Sequence, residues 1–209
     1  MPSFEIEKQY QNETIYGIDE AGLGPLAGPI VVASCHIISQ KLSNELFENI
    51  NDSKKISKKK RDHLFEIITN DPYIKFGISI IDSETIDEIG LSKAWTKGIV
   101  ESIKDQNPTL CLVDGIRKIE FPNGCKSISI VKGDSKSFSI AAASIIAKVT
   151  RDRIMDQIHK EFPYYGFDKH VGYGTRLHIN QLTNLGPCKY HRKSYAPVRL
   201  ASRESNSNS

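Results

Sequence analysis

The segment that most constrains the fold runs from about Phe138 to Glu161. Its small and apolar residues recur at steps of three and four, which predicts one long helix with a buried face. The inner positions are Ile140, Ala143, Ala147, Thr150, Ile154 and Ile158. Residues 141–144 are alanine and serine, so this part of the helix can approach a sheet closely. Pro163 ends the helix, because proline lacks the backbone N–H that a helix requires.

Five short segments rich in apolar residues are expected to form that sheet. They cover residues 15–20, 29–38, 73–82, 110–113 and 126–131. Further helices are predicted at 57–70, where Ser57 can cap the first turn, at about 91–106 and near 176–184. Strands interleaved with crossover helices predict an α/β fold in which a mixed sheet is flanked by helices.

The chain length suits a single domain, which we expect to cover residues 1–199 with a helical and basic C-terminal segment at about 176–199. The last ten residues, 200–209, are expected to form a disordered tail. Of the 209 residues, 39% are hydrophobic and 25% are charged, which is typical of a soluble globular protein. The chain has no run of about 18 apolar residues, so we predict neither export nor a membrane span.

The four cysteines are widely spaced and form no C-x-x-C pair: Cys35, Cys111, Cys125 and Cys188. Cys35 and Cys111 lie in strand-like apolar segments, where a thiol usually serves as a small buried hydrophobe. A disulfide or a zinc site is the less favoured alternative. The cysteines therefore favour a reducing compartment, and we expect the cytoplasm.

Four acidic residues stand at predicted strand ends or turns. Asp19 and Glu20 close the first strand, Asp114 closes the fourth, and Asp134 lies in a turn before the long helix. Successive strand residues face opposite sides, so Asp19 and Glu20 can share a site only where the strand ends and twists. Taken singly, these residues could be a solvated strand end and a helix cap. Only their combination favours a functional site.

Several carboxylates in a small volume repel one another, so such a cluster is stable only with bound cations. Oxygen ligands without cysteine or histidine favour Mg²⁺ or Mn²⁺. Two such ions about 4 Å apart would activate a water and stabilise the leaving 3′ oxygen of a phosphodiester. The four carboxylates therefore predict a two-metal phosphodiesterase centre.

Cationic residues are concentrated in two segments. The denser one comprises Lys54, Lys55, Lys58, Lys59, Lys60 and Arg61, and the second comprises Lys189, His191, Arg192 and Lys193. Each segment is either a phosphate-binding surface or a solvated face without a ligand. Between them, Tyr173 lies in a Gly-Tyr-Gly loop. Its ring can stack on a base and its hydroxyl can meet a 2′-OH, but it could also be a half-buried loop aromatic.

Other chemistries have less support in the sequence. The glycine-rich segment 22–28 has neither a P-loop nor a G-x-G-x-x-G pattern, although its backbone amides could hold a phosphate. There is no H-x-x-x-H pair and no G-x-S-x-G, which argues against zinc and serine hydrolases. Among the histidines, His170 is the best candidate for supporting a site residue or contacting substrate, because it lies beside the tyrosine loop.

From about Tyr16 to Val198 the chain resembles bacterial ribonuclease HII. The motifs that carry the resemblance are YGIDEAGLGPLAGPIVVA, NDSKKIS, LVDG, KGDSKSFSIAAASIIAKVTRDR, HVGYGT and HRKSYAPV. So many motifs in one order are far more specific than any single one. The resemblance implies the ribonuclease H fold, a five-stranded mixed sheet with helices on both sides. Asp134 suits type HII, because the related type HIII usually has glutamate as its fourth carboxylate.

The resemblance also implies roles for individual residues. The implied metal ligands are Asp19, Glu20, Asp114 and Asp134, and the implied substrate contacts are Gly22, Leu23, Gly24, Lys54, Tyr173 and Ser194. The chain departs from the family at two positions. Leu23 replaces the arginine of the usual G-R-G turn, and Val171 replaces the lysine of the usual H-K-G-Y. Both changes remove a cation beside the expected substrate path, so we expect hydrolysis with a weakened junction preference.

The predicted function is an endonuclease that hydrolyses the RNA strand of RNA–DNA hybrids and cuts at ribonucleotides embedded in duplex DNA. It would leave 3′-hydroxyl and 5′-phosphate ends, and it would act in ribonucleotide excision repair and DNA replication as a monomer without an obligate protein partner. Two alternatives are a hybrid-binding protein with attenuated catalysis, and another nuclease of the same fold such as a junction resolvase or transposase. The retained carboxylates argue against the first, and the tyrosine loop argues against the second.

Overall fold

The computed structural model describes residues 1–39, 42–50, 53, 56–122 and 124–207, with the backbone alone for 203–207. In this part of the chain, one sheet contains five strands: β1 (Ile15–Ala21), β2 (Ile30–Ile37), β3 (Ile74–Ile81), β4 (Leu110–Asp114) and β5 (Lys126–Ile130). The strand order is β3-β2-β1-β4-β5. Strand β1 pairs antiparallel with β2 and parallel with β4, and β4 pairs parallel with β5. The predicted mixed sheet is confirmed.

The described residues also form eight α-helices. They are α1 (Asn44–Asn49), α2 (Lys58–Asn70), α3 (Ser83–Ile89), α4 (Leu91–Ser102), α5 (Phe138–Glu161), α6 (Phe167–His170), α7 (Arg176–Leu185) and α8 (Ala196–Ser207). The side chain of Ser57 accepts a hydrogen bond from the Lys60 amide, so α2 begins with the predicted cap. The predicted α/β class is therefore confirmed along with most helix positions.

The helix predicted at 91–106 is present but shorter, and a further helix precedes it. Helix α3 was not predicted, and it begins because Asp82 accepts a hydrogen bond from the Thr85 amide. Gly90, with φ 82°, separates α3 from α4. Helix α4 ends at Ser102, four residues before the predicted end.

Helix α5 has the predicted bounds, but its first part is buried on every side rather than along one face. All ten residues from 138 to 147 are buried, whereas Thr150 and Ile154 of the predicted inner face are only half-buried. Small side chains make this burial feasible. A Cβ at Gly17 of β1 would lie 2.3 Å from the Ile140 nitrogen, so the helix backbone touches the strand directly.

The last described helix lies near the end of the chain. Helix α8 runs from Ala196 to Ser207 and so enters the segment 200–209 that was expected to be a tail, and residues 208 and 209 lie outside the described part. Val198 and Ala201 are buried in a cluster with Leu182 and Leu26. The sequence did not indicate this apolar contact, because most residues after Ala201 are polar.

The described chain forms two compact units. The first comprises Met1–Ala21, Val31–Ser79 and Thr96–Val149, which include nearly all of the sheet. The second comprises Gly22–Ile30, Ile80–Trp95 and Thr150–Ser209, which include α6 to α8.

Each of the four cysteines is a free thiol. Cys35 and Cys111 are fully buried, as predicted for thiols inside strands. Among the described residues, no helix has the length and apolar character needed to cross a membrane.

Candidate metal centre and recognition loops

Two neighbouring strands of the first unit deliver carboxylates to one place. Strands β1 and β4 run parallel, with Ile18 beside Val113. The next residues are Asp19 and Asp114, so the two acidic side chains leave the sheet at the same edge. Asp19 is 5% exposed, and its Oδ1 accepts a hydrogen bond from the Glu20 amide at 2.8 Å.

A tight turn brings a third carboxylate to the same edge. Asp134 lies in the 3-10 turn Gly133–Ser135, and the Gly133 amide donates to Asp114 Oδ1 at 2.6 Å. Lys132 enters the turn in the left-handed conformation, with φ 55°. A Cβ at residue 133 would lie 2.6 Å from Ile140 Cδ1, so any larger residue there would require the Ile140 side chain to shift. The turn therefore fixes Asp134 relative to Asp114.

Among the described residues, Asp19, Asp114 and Asp134 form a group that could hold a metal ion. One oxygen atom from each lies within 4.8 Å of the others. Burial, together with the charges of Glu20 and Asp114, raises the pKa of Asp19 well above its usual value. The cluster is thus unfavourable as a set of anions without a cation. An all-oxygen donor set of this charge fits Mg²⁺ or Mn²⁺.

Glu20 lies outside the group of three. Strand β1 continues to Ala21, with Glu20 paired to Val32, so residues 19 and 20 still alternate in direction. Glu20 remains close enough for its charge to raise the pKa of Asp19. The structure therefore brings three of the four predicted ligands together and places the fourth beside them.

A chain of hydroxyl groups supports Asp19, and the sequence did not reveal it. Ser144 of α5 donates a hydrogen bond to Asp19, which lowers the pKa of that carboxyl against the larger effects above. The Ser144 hydroxyl is also 2.9 Å from that of Ser53, and Arg61 holds the Ser53 carbonyl at 2.8 Å. Ser53 lies in the NDSKKIS motif, which was the available signal. Lys54 of that motif lies outside the described residues.

The second unit contains the glycine turn, defined as residues 22–24. Gly22 has φ +104°, and a Cβ there would lie 2.2 Å from Arg151 Nε, so this position requires glycine. Leu23 is half-buried and Gly24 is exposed. A Cβ at Gly24 would lie 3.7 Å from Cε1 of Tyr173, so the tyrosine ring flanks the turn. Gly24 and Tyr173, each predicted as a substrate contact, are thus close together.

Tyr173 lies in the tyrosine loop, defined as residues 170–175, and is 44% exposed. His170 is buried at the start of this loop. Its Nε2 donates to the Tyr165 carbonyl at 2.9 Å and its Nδ1 accepts from the Gly172 amide at 3.2 Å. His170 therefore supports the loop, as one of its two expected roles. Val171 has φ 43°, a strained conformation for a β-branched residue.

The predicted basic segment 189–193 is mostly not a cationic surface. His191 and Arg192 are buried, at 1% and 0% exposure. Lys189 forms an ion pair with Glu161 at 2.6 Å, which raises the pKa of the lysine. Among the four basic residues of this segment, only Lys193 is an exposed cation that is not paired with Glu161.

Ser194 is exposed, but it donates hydrogen bonds to Asp87, an acidic residue that the sequence did not indicate. Asp87 Oδ1 accepts hydrogen bonds from the Ser194 hydroxyl at 2.6 Å and from its amide at 2.9 Å. Asp87 Oδ2 accepts from the Lys193 amide at 2.7 Å. No spacing rule links Asp87 to Ser194, because 107 residues separate them.

Comparisons with known proteins agree with this architecture. The family model described as Ribonuclease HII matches residues 16–198. The chain is 47% identical to ribonuclease HII of Chlamydia muridarum over 192 residues, covering 91% of this chain and 85% of that protein. It is 43% identical to ribonuclease HII of Chlamydia trachomatis over 210 residues, covering 96% and 94%.

Solved structures show the same fold. Ribonuclease H2 of Pyrococcus horikoshii has a TM-score of 0.76 at 22% identity, covering 92% of this chain and 98% of that one. Ribonuclease HII of Archaeoglobus fulgidus, solved in complex with PCNA, has a TM-score of 0.73 at 27% identity, covering 87% and 95%.

The fold and its cluster of aspartates place the chain in the ribonuclease H class of α/β proteins. Within that class, the chain belongs to the ribonuclease HII family. It is a divalent-metal-dependent ribonuclease H, an endonuclease that acts on RNA–DNA hybrids.

Proposed function

We propose that this ribonuclease cuts the RNA strand of hybrids and also cuts duplex DNA at embedded ribonucleotides, leaving 3′-hydroxyl and 5′-phosphate ends. Asp19, Glu20, Asp114 and Asp134 would be its catalytic metal ligands, and two Mg²⁺ or Mn²⁺ ions would act together. The observation that carries this proposal is the approach of three aspartate oxygens to within 4.8 Å at one sheet edge.

The chain's own residues provide the positioning. Asp114 and Asp134 are held by the Gly133 turn, and Ser144 orients Asp19. Glu20, at the adjacent strand position, would complete the set of ligands. When bound, divalent ions supply charge stabilisation at the phosphate and activate the attacking water. A protein that only bound hybrids would gain nothing from clustered anions beside phosphates.

The substrate contacts are proposed on the family resemblance and on local geometry. Gly22, Leu23 and Gly24 would face the strand at the ribonucleotide, with Tyr173 packing beside Gly24. Lys54 and Ser194 would contact phosphates. Because the Ser194 hydroxyl donates to Asp87, it would donate to a phosphate only after rotating away from that carboxylate.

The substrate class can be tested with three labelled duplexes: an RNA–DNA hybrid, the matching DNA duplex and the matching RNA duplex. We expect cleavage of the hybrid alone, dependent on Mg²⁺ or Mn²⁺ and abolished by EDTA. Comparable cleavage of the DNA duplex would instead favour another nuclease of this fold. Tight binding of the hybrid without cleavage would favour a binding protein.

The junction activity needs a separate substrate, a DNA duplex with a single ribonucleotide. We expect one cut at the ribonucleotide, with ends that a ligase and a phosphatase assay identify as 3′-hydroxyl and 5′-phosphate. An intact duplex under conditions that degrade the uniform hybrid would remove this part of the proposal. With such an activity, the enzyme would act as a monomeric catalytic domain over residues 1–199, in cytoplasmic ribonucleotide excision repair and DNA replication.

A further inference from the structure

A buried guanidinium supports the glycine turn. Arg192 is 0% exposed, and all five of its N–H groups donate hydrogen bonds. Nη2 donates to Gly22 O at 2.5 Å and to Gly28 O at 2.9 Å. Nη1 donates to Leu23 O and to the Tyr195 hydroxyl, both at 3.0 Å, and Nε donates to Gly28 O at 3.1 Å. Every acceptor is neutral, so the carbonyl dipoles of the turn solvate this charge.

These hydrogen bonds set the direction of the turn's amides. The peptide bonds of the described chain are trans, so each N–H points opposite to the preceding carbonyl. Because the Gly22 and Leu23 carbonyls point toward Arg192, the amides of Leu23 and Gly24 point away from it. Neither amide donates to any residue that the structure describes. The turn therefore presents two unused donors.

A second buried guanidinium joins the glycine-rich segment to the tyrosine loop. Arg151 donates to the carbonyls of Ala27, Pro29 and Val171 at 2.9 to 3.2 Å. Burial and the charge of Arg192 lower the pKa of Arg151 to about 10, so it stays protonated near neutral pH. Neither Arg151 nor Arg192 has a carboxylate among these hydrogen-bond partners. The two cations therefore polarise the peptide groups around them, which makes the N–H groups of those peptides stronger donors.

We propose that Arg192 is a positioning residue for ribonucleotide recognition. It holds the Leu23 and Gly24 amides outward as donors to the sugar and phosphate of the substrate, in a turn that has no cationic side chain of its own. This inference rests on the proposed function, because it assigns the turn to the substrate. The positive charge near the glycine turn then comes from the buried guanidinium of Arg192 and not from a side chain at position 23.

The test is Arg192→Lys, which keeps the charge but loses the planar fork that reaches three carbonyls. Arg199→Lys, at an exposed position of the same unit, is the matched control. We expect kcat on the single-ribonucleotide duplex to fall by about tenfold or more, with a smaller loss on the uniform hybrid. KM should change little, because phosphate contacts elsewhere supply most of the affinity. Circular dichroism and urea unfolding would establish that the variant is folded.

Equal kcat values for folded Arg192→Lys and wild type on the embedded ribonucleotide would overturn the inference. So would equal proportional losses on both substrates, which indicate a merely structural role. If Arg192→Lys does not fold, Tyr195→Phe decides the question, because it removes a hydroxyl that donates to Leu23 O at 3.0 Å.

For Tyr195→Phe we expect a selective loss of about three- to fivefold on the embedded ribonucleotide. An unchanged ratio of the two activities would contradict the inference. A wild-type protein that cleaves neither substrate would refute the proposed function itself, and this inference with it. Wild-type cleavage with insensitive variants would refute the inference alone.

Discussion

Asp114 connects two parts of the candidate metal centre. Its Oδ1 accepts the Gly133 amide, and its charge contributes to the raised pKa of Asp19. An asparagine at this position could still accept the hydrogen bond but would carry no charge. The structural and electrostatic roles of Asp114 can therefore be separated by one substitution.

We predict that Asp114→Asn lowers kcat on a hybrid by about two orders of magnitude or more, because a metal ligand is weakened. Its free energy of unfolding without metal should equal or exceed that of the wild type, because repulsion among the carboxylates is relieved. Urea unfolding in EDTA and cleavage assays in Mg²⁺ measure the two effects. Asp105→Asn, at an exposed position of the same unit, is the control. Full turnover by Asp114→Asn would remove that residue from the mechanism.

Leu23 is the residue at which the chain departs from its family inside the glycine turn. We predict that Leu23→Arg raises kcat/KM on the embedded ribonucleotide by at least about tenfold, through a charge-assisted contact to phosphate. The gain on a uniform hybrid should be smaller, because that substrate offers many equivalent registers. Leu23→Met controls for side-chain length without charge. Equal rates for arginine and leucine would mean that backbone amides alone read the junction.

The residues of the site differ in how far the sequence revealed them. Asp19 and Asp114 were predictable because an acidic residue after a buried strand is visible in sequence. The burial of Arg192 was not, because its partners are backbone carbonyls, which leave no pattern of residue types. For the same reason the segment 189–193 was interpreted as a cationic surface. The sequence shows which residues are charged, but only the packing shows whether a charged side chain reaches solvent.

At the level of elements, helix α5 shows both the strength and the limit of periodicity. Its ends were predictable, because Pro163 follows it and a Gly-Asp turn precedes it. Its burial on all sides was not, because alanine and serine between the apolar positions contribute little to a periodic pattern. Glu7, distant in sequence, caps its first turn. Glu7 Oε1 accepts from the Ser139 amide at 3.1 Å and from the hydroxyls of Ser137 and Ser139.

We predict that Glu7→Ala lowers the free energy of unfolding by about 1–2 kcal/mol, because α5 loses a cap and a favourable charge at its N-terminus. Glu7→Gln should lose less, since the amide oxygen still accepts hydrogen bonds. Urea unfolding measures both, with the exposed Glu5→Ala as the control. Equal stability of wild type and Glu7→Ala would show that solvent replaces the cap without cost.

At the scale of the molecule, a net charge of +3 gives only a mild attraction to nucleic acid, so individual phosphate contacts should be visible in salt titrations. We predict that Lys54→Ala lowers the log–log salt slope of hybrid binding by about 0.9. Lys189→Ala should change it less, because Glu161 already pairs with Lys189. Binding measured in Ca²⁺ would avoid cleavage. An unchanged slope for Lys54→Ala would place that lysine on a solvated face.

Two buried histidines are expected to make the stability of the protein depend on pH. The Cys188 amide donates to His191 Nδ1 at 3.0 Å, and His178 Nδ1 donates to the Tyr173 carbonyl at 2.9 Å. Because His191 Nδ1 accepts a hydrogen bond and His178 Nδ1 donates one, the ring proton of His191 is on Nε2. This Nε2 donates to His178 Nε2 at 3.0 Å. Both rings are therefore neutral. Burial is the main reason that the pKa of His178 is lowered to about 4 and that of His191 to about 3.

In the unfolded chain both histidines would have a pKa near 6.5, so acid protonates the unfolded state first. Their contribution to stability is fully present above about pH 6.5 and is lost as the pH falls toward the folded-state pKa values. We predict a loss of up to about 1.4 kcal/mol per pH unit for each histidine, measured by urea unfolding between pH 7.5 and 5. His191→Gln should flatten this dependence, whereas exposed His63→Gln should follow the wild type. A wild-type free energy of unfolding that stays constant over this range would show that the folded protein accepts these protons without penalty.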